Sequence, residues 1–236
     1  MVAGLDIGTD RLRVARGDAS APSFDEAATV ALAVDAGDLT ATGRAPEDLA
    51  TVEVDGETYV LGDDALAVGD ALDRTPESLL DAGYLRPGER YRAAFAALVA
   101  TGVGGPAQSA ERLCYTTPGA PVEASIDTDA HRAAVSGALE DLGYDATPVS
   151  EGLAVIYDVL ADRNLTGLGI AIRGDTTSAC LAYYGVPVLV FSIARGADWV
   201  EARAAEATGV DPDTVADRRE SFVLDPMADA DGVADA

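Results

Sequence analysis

The chain has 236 residues, enough to bury a sizeable core in one large domain or two small ones, and 48% of them are hydrophobic. Its 41 acidic residues face 16 basic ones, a formal charge of −25, and every basic residue is arginine. That charge repels nucleic-acid phosphates and anionic lipid, excluding both as partners through bulk electrostatics, and it suits a protein kept soluble in a salt-rich cytoplasm where screening shortens self-repulsion. No apolar run reaches the length of a membrane span and no basic-then-apolar leader opens the chain, so the expected location is the cytoplasm, without direct membrane insertion. Cys114 and Cys180 lie in apolar runs and read as small buried hydrophobes, while the lone His131 leaves zinc without a second imidazole.

The first third reads as strands. Residues 2–8 (VAGLDIG), 11–17 (RLRVARG) and 27–34 (AATVALAV) alternate or run apolar between turn signals, and 51–61 (TVEVDGETYVL) form a hairpin turning at Asp55-Gly56. Residues 35–48 between them are polar and contain glycine, which predicts a loop. After residues 61–73 (LGDDALAVGDALD) the texture turns helical. Tyr91, Phe95, Leu98 and Val99 stand near helical spacing in 87–102, with Gly102 as the stop. A strand at 111–119 follows, then a helix over 127–144 with Ala134, Val135, Ala138 and Leu142 on one face, an extended stretch at 145–149 and a helix from Ser150. The last third returns to strands at 166–174, 176–185 and 186–196, then to helices at 197–209 and 211–220. The order of elements is one folding pattern begun twice, although the two halves are not repeats by identity.

The first hairpin tip carries Asp6, Gly8, Thr9 and Asp10. A tip of this kind can bind phosphate without basic side chains: glycine lets the backbone approach, successive N–H groups form an anion-accepting nest, and the Thr hydroxyl adds a donor. Asp6 can hold the waters of a Mg²⁺ ion that bridges the phosphates. An ordinary hairpin turn uses the same residue types, so the tip alone leaves both readings open.

Over nearly its whole length the chain resembles the actin-like ATPase superfamily, most closely the prokaryotic and haloarchaeal actin homologues. GLDIGTDRLRVA (4–15) looks like the first phosphate loop, VDGETYVLGDDAL (54–66) the hairpin and following turn of the small subdomain Ib, and LLDAGYLRPGE (79–89) the return to subdomain Ia. YTTPGAPV (115–122) resembles the strand ending in Val-Pro, SEGLAVIYDVL (150–160) the connecting helix, and residues 169–209 the second phosphate hairpin with its partner strand and helix. The resemblance implies an α/β, actin-like (ribonuclease H-like) fold of two lobes with mixed sheets and an incomplete second lobe. Domain I would span 1–162, with subdomain Ib at about 36–75, and residues 163–236 would begin a truncated domain II.

It also implies ATP and Mg²⁺ between the lobes. Asp6 would orient Mg²⁺ waters, Gly8, Thr9 and Asp10 would approach the phosphates, and Glu151 would position an attacking water. Glu151 also suits the first turn of a helix capped by Ser150, and both readings stand. In the second loop relatives carry Asp-X-Gly-X-Gly-Thr-Thr, whereas here Ala171-Ile172-Arg173-Gly174-Asp175-Thr176-Thr177 lacks the carboxylate and places Arg and Asp at glycine positions. Gly174, Thr176 and Thr177 would still face phosphate, and Arg173 either reaches the phosphates or is an ordinary surface residue of a turn. Arg218, Arg219 and Glu220 would contact the ribose side. The Gly-Gly segment that completes the adenosine pocket in relatives is not found, which marks a truncated relative or a piece of a longer product. The expected function is an actin-like cytoskeletal protein that binds ATP·Mg²⁺ and forms filaments, a possible ATPase of weak or uncertain hydrolysis. The alternative is a non-catalytic actin-fold scaffold or regulator that co-assembles with or caps a full-length actin homologue. A sugar-kinase or chaperone relationship ranks third, for want of a sugar-site motif or a peptide-binding domain.

Overall fold

A computed structural model describes residues 3–18, 21–106, 110–122 and 127–221, the side chains of Asp18, Glu220 and Ser221 excepted. The chain opens with an antiparallel meander, β1 (Ala3–Ile7), β2 (Arg11–Asp18) and β3 (Ala21–Ala28). A small sheet follows, made of β4 (Val30–Val34), β5 (Thr51–Val54), β6 (Glu57–Leu61) and β7 (Glu77–Ser78), with helices α1 (Ala36–Thr42) and α2 (Gly62–Leu72). The turn formed by β8 (Leu80–Asp81) and β9 (Tyr84–Leu85) leads into α3 (Glu89–Val103), β10 (Glu111–Thr117), α4 (Thr128–Asp141), β11 (Tyr144–Ser150) and α5 (Glu151–Val159). A second meander, β12 (Gly167–Ile172), β13 (Thr177–Tyr183) and β14 (Val186–Ile193), ends in α6 (Ala197–Thr208) and α7 (Pro212–Ser221).

The main sheet is mixed, in the order β11-β10-β1-β2-β3: β1, β10 and β11 run parallel, β2 pairs antiparallel with β1, and β3 pairs antiparallel with β2. Leu5, Ile7, Leu12 and Val14 point from it into a core shared with Phe95, Leu98 and Val99 of α3 and Val135 and Leu139 of α4. A separate cluster of Leu32, Val60, Ala65 and Val68 holds α2 on the small sheet. The β12–β14 sheet has one face against Leu153 and Ile156 of α5, while Leu168, Ile170, Ile172, Leu181 and Tyr183 are exposed on the other. No described helix is long and apolar enough to cross a membrane.

Several sequence expectations change. Residues 35–48 are not all loop, because Asp35 accepts a hydrogen bond from the Asp38 N–H at 2.8 Å and Asp38 accepts one from the Asp35 N–H at 3.1 Å. This reciprocal cap, with Gly43 left-handed at the other end, makes a helix from a segment that buries a single leucine, Leu39. Helix also begins earlier than expected, since α2 occupies Gly62–Leu72 itself. The strand expected over 27–34 is divided at the fully buried Thr29, where the chain passes from the main sheet to the small one. Its first part belongs to β3, an edge strand whose Asp25 and Glu26 pair with Arg16 and Arg13. Cys180 is buried as expected, but Cys114 is exposed: alternation along β10 sends Leu113 and Tyr115 into the core and Cys114 to the opposite face.

Helix α5 meets the second sheet backbone to backbone. A Cβ added to Gly169 would lie 2.0 Å from the Gly152 carbonyl oxygen, and one added to Gly152 would lie 2.6 Å from the Cys180 nitrogen. Gly137, inside α4, has open space around it. Gly169→Ala is therefore expected to destabilise the fold by about 3 kcal/mol by overpacking, whereas Gly137→Ala should stabilise it by up to about 1 kcal/mol through helix propensity. Urea unfolding of both variants at fixed salt checks the opposite signs.

Candidate functional site

Two hairpin tips of the same build face each other. In the first, the strand pairing ends at Ile7↔Leu12 and the Gly8 N–H donates to the Arg11 carbonyl at 3.0 Å. In the second it ends at Ile172↔Thr177 and the Arg173 N–H donates to the Thr176 carbonyl at 2.8 Å. By this register Asp6 corresponds to Ala171, Gly8 to Arg173, Thr9 to Gly174 and Asp10 to Asp175. The second tip is clamped from behind by the start of α6, where the Ala197 and Asp198 N–H groups donate to the Arg173 and Gly174 carbonyls at 2.7 and 2.9 Å. Two orphan donors of that helix end are thereby satisfied by the tip.

The tips interlock through their glycines. A Cβ on Gly8 would stand 3.0 Å from Arg173 Nη1, and one on Gly174 would stand 3.2 Å from Oδ2 of both Asp10 and Asp198. The Thr9 hydroxyl donates to Asp175 Oδ2 at 2.6 Å, and the Gly83 N–H from the β8–β9 turn donates to the same oxygen at 3.0 Å. Between the tips lies a cleft of about 350 Å³ bordered by Arg11, Arg13 and Arg173, with Asp10 and Asp175. Each of these arginines is itself paired with acids: Arg11 with Glu26 and Asp63, Arg13 with Glu26 and Asp6, and Arg173 with Asp6 and Glu151.

Arg173 is the centre of the site. Its Nε donates to Glu151 Oε1 at 2.6 Å, Nη1 donates to Asp6 Oδ2 at 3.2 Å, and Nη2 donates to Asp6 Oδ1. The Thr116 hydroxyl adds a bond to Asp6 Oδ1 at 2.9 Å while accepting the Ile7 N–H, which fixes the carboxylate at the end of β1. Glu151 is buried at the start of α5, and the Ser178 hydroxyl donates to its second oxygen. Burial raises the Glu151 pKa above the usual carboxylate value, and the Arg173 charge and the Ser178 hydrogen bond pull against it. Burial together with Asp10 likewise raises Asp198.

The expected residues divide into two groups. Asp6 and Glu151 are joined by one guanidinium, Gly8, Thr9, Asp10 and Gly174 line the cleft, and Asp6 borders it from behind through Arg173. Thr176 is buried beside Gly83, and Thr177 donates to the Arg195 carbonyl at 2.7 Å, so both side chains lie off the cleft lining. Arg218 and Arg219 are exposed on α7, where Arg219 pairs with Glu201 at 2.5 Å; the Glu220 side chain lies outside the described residues. The Arg173 side chain is neither an ordinary surface residue nor extended into open cleft: it is 20% exposed and folded back onto acids. Thr116 and Ser178, which orient those acids, carried no motif; only their positions on strands beside Asp6 and Glu151 identify them.

These residues do not fit a Mg²⁺ ion. The carboxylate at the base of the first tip, Asp6, is engaged by Arg173, and its counterpart on the second tip is Ala171, so neither tip offers the free carboxylate that Mg²⁺ takes beside nucleotide phosphates.

Solved structures share this architecture. The chain is similar to that of a MamK double helical filament at 19% identity and TM-score 0.65, covering 96% of this chain and 66% of that one. It is similar to MreB5 of Spiroplasma citri bound to ADP at 15% identity and TM-score 0.56, with 92% and 60% covered. AlfA from the B. subtilis plasmid pLS32, also a filament structure, matches at 13% identity and TM-score 0.51, with 89% and 80% covered. The fold is thus actin-like, and the chain spans about two thirds or less of the length of the first two neighbours. No curated protein matches the sequence. A family model described as Volactin matches residues 1–236.

Removing Arg173 would strand Glu151 and Asp6. Because the folded-state pKa of Glu151 lies above its unfolded value, the folded chain holds the extra proton between the two, and stability falls as pH rises through that window. Loss of the guanidinium moves the folded value further up and widens the window. Arg173→Ala is expected to cost about 3–5 kcal/mol at neutral pH and clearly less at pH 5, because the raised pKa lets the stranded carboxyl take up a proton as pH falls. Chemical unfolding of both proteins at the two pH values reads the difference, and an equal loss at both would remove Glu151 from this account.

Proposed function

The chain belongs to the Volactin family, and from that footing we propose that it is an actin-fold cytoskeletal protein that assembles with copies of itself and takes the phosphates of ATP on its paired hairpin tips. The observation that carries the reading is the pair of equivalent tips, Gly8–Arg11 and Arg173–Thr176, facing across a cleft bordered by three arginines. The arginines that border the cleft are the groups able to offer charge-assisted hydrogen bonds to phosphate oxygens. MreB5 of Spiroplasma citri, similar in fold, is known bound to ADP and to AMPPNP. Self-assembly is supported by the filament structures of MamK and AlfA and by the exposed apolar face of the β12–β14 sheet, since contiguous apolar patches mark association surfaces. Domain I is assigned to residues 1–162, with its small subdomain at 36–75, and domain II begins at 163.

In this reading turnover is slow. Both oxygens of Glu151 are engaged, one by Arg173 and one by Ser178, so the carboxylate is not free to orient a water. The same engagement favours the second reading, a non-catalytic scaffold that co-assembles with a longer actin homologue. Thr176 and Thr177 are left out of the proposed phosphate contacts, Arg218, Arg219 and Glu220 are left out as ribose contacts, and Mg²⁺ is left out of the proposed site.

Sedimentation and electron microscopy with ATP test assembly. Pelleting should rise with salt, because screening relieves repulsion between chains of charge −25. Phosphate release should stay below about 10⁻³ s⁻¹, the range of a nucleotide hydrolase acting without its activator. A chain that stays monomeric with and without ATP at every salt concentration, yet pellets with a longer homologue, would replace the first reading by the second.

A further inference from the structure

Where β9 meets the first turns of α3 and α4 lies a cavity of about 410 Å³ that shares no lining residue with the cleft between the tips. It has the size of a small-molecule site, far more than the roughly 30 Å³ that one water occupies. Leu85, Pro87, Ala130 and Ala134 supply apolar wall, and His131, only 3% exposed, supplies an imidazole.

That ring is the chain's one histidine, and its surroundings fix which nitrogen carries the proton. The Tyr84 and His131 rings stand edge to face with centroids 5.5 Å apart, and the Leu85 N–H donates to His131 Nδ1 at 3.0 Å. Nδ1 is therefore the bare nitrogen and Nε2 holds the hydrogen. Burial, helped by the Arg132 charge, lowers the pKa to about 4, so the ring is neutral at pH 7. Nε2 is itself buried, with no hydrogen-bond partner among the described residues. A donor left in that state costs free energy that a bound acceptor would recover. The start of α3 adds to the demand for an acceptor: Gly88 borders the cavity, and no side chain caps that 15-residue helix.

The charged groups of the lining are already engaged. Arg92 pairs with Glu89, Arg86 lies 3.8 Å from Glu77 and donates from Nε to the Leu80 carbonyl at 3.4 Å, and Asp127 Oδ1 accepts the Ala130 N–H at 2.9 Å. An ammonium offers Nε2 no lone pair, and an anion would meet Asp127. The occupant that fits is uncharged.

We propose that this cavity binds a small uncharged molecule that presents a carbonyl oxygen to His131 Nε2 and an apolar body to Leu85, Pro87, Ala130 and Ala134. The inference is independent of the nucleotide reading.

The experiment is NMR on the full chain labelled with ¹⁵N-histidine, in which the two imidazole nitrogens of His131 are the only labelled ring signals. At pH 7 the proton should sit on Nε2. Cyclohexanone, added at constant salt, should shift that signal saturably, with a dissociation constant of about 1 mM or below. Cyclohexylammonium, the same ring without an acceptor, should bind at least about tenfold more weakly. Ala134→Leu fills the cavity from a helical position while leaving the bond from Leu85 to Nδ1, and should weaken ketone binding by at least about tenfold with the tautomer unchanged. A proton on Nδ1, or a shift that never saturates, would overturn the inference and leave water as the partner of Nε2. Equal binding of the ammonium would overturn the carbonyl assignment, and equal ketone binding by Ala134→Leu would overturn the location. The tautomer and the two titrations need no variant to fold.

Discussion

A carboxylate as deeply buried as Glu151, 2% exposed, persists in ionised form only beside a compensating charge and with its lone pairs satisfied. Meeting that requirement organises much of the molecule. The charge comes from Arg173, on a hairpin that begins after α5 has ended, and the same guanidinium reaches Asp6 at the end of the first strand. For those groups to meet, α5 must lie on the backbone of β12 and β13, which only the bare glycines at 152 and 169 allow. The second tip must also be held at a fixed height, which the N–H groups of α6 accomplish. Strand, connecting helix and second hairpin are therefore coupled through one ion cluster.

The chemistry of that cluster explains why arginine stands there. A lysine ammonium is a point charge; the guanidinium is a rigid fork whose three nitrogens can engage two carboxylates from different directions. Elsewhere the arginines serve local purposes. Pairs such as Arg92 with Glu89 and Arg203 with Glu206 are exposed helix-surface contacts, which contribute little at any salt and least at high salt. The consequential electrostatics of this acidic protein are concentrated where solvent is excluded.

Alternation and turn chemistry made most strands readable in advance, and α3, α4 and α5 followed from helical spacing and their end signals. Helix α1 was not readable that way, because its signal is a reciprocal cap of two aspartates around one buried leucine rather than an apolar stripe. Strand β3 was hidden for the opposite reason: as a charged edge strand it shows no apolar alternation. At the site, the first tip could be recognised from Asp6, Gly8 and Thr9, which are close in sequence. The destination of Arg173 could not, since it depends on bringing together residues 167 positions apart. Thr176 illustrates the complementary limit: a residue can match a motif by spacing while the hairpin turns its side chain into the interior beside Gly83.

The opposite exposures of the two cysteines make the chain a ready-made single-site label carrier. Cys180 has no accessible surface, and burial raises its thiol pKa, so it is shielded from thiolate-seeking reagents. Cys114 is open on the outer face of the main sheet, and with no lysine in the chain amine-directed dyes find no side chain to compete for. A maleimide fluorophore on the natural sequence thus reports from one known point on β10, without mutagenesis.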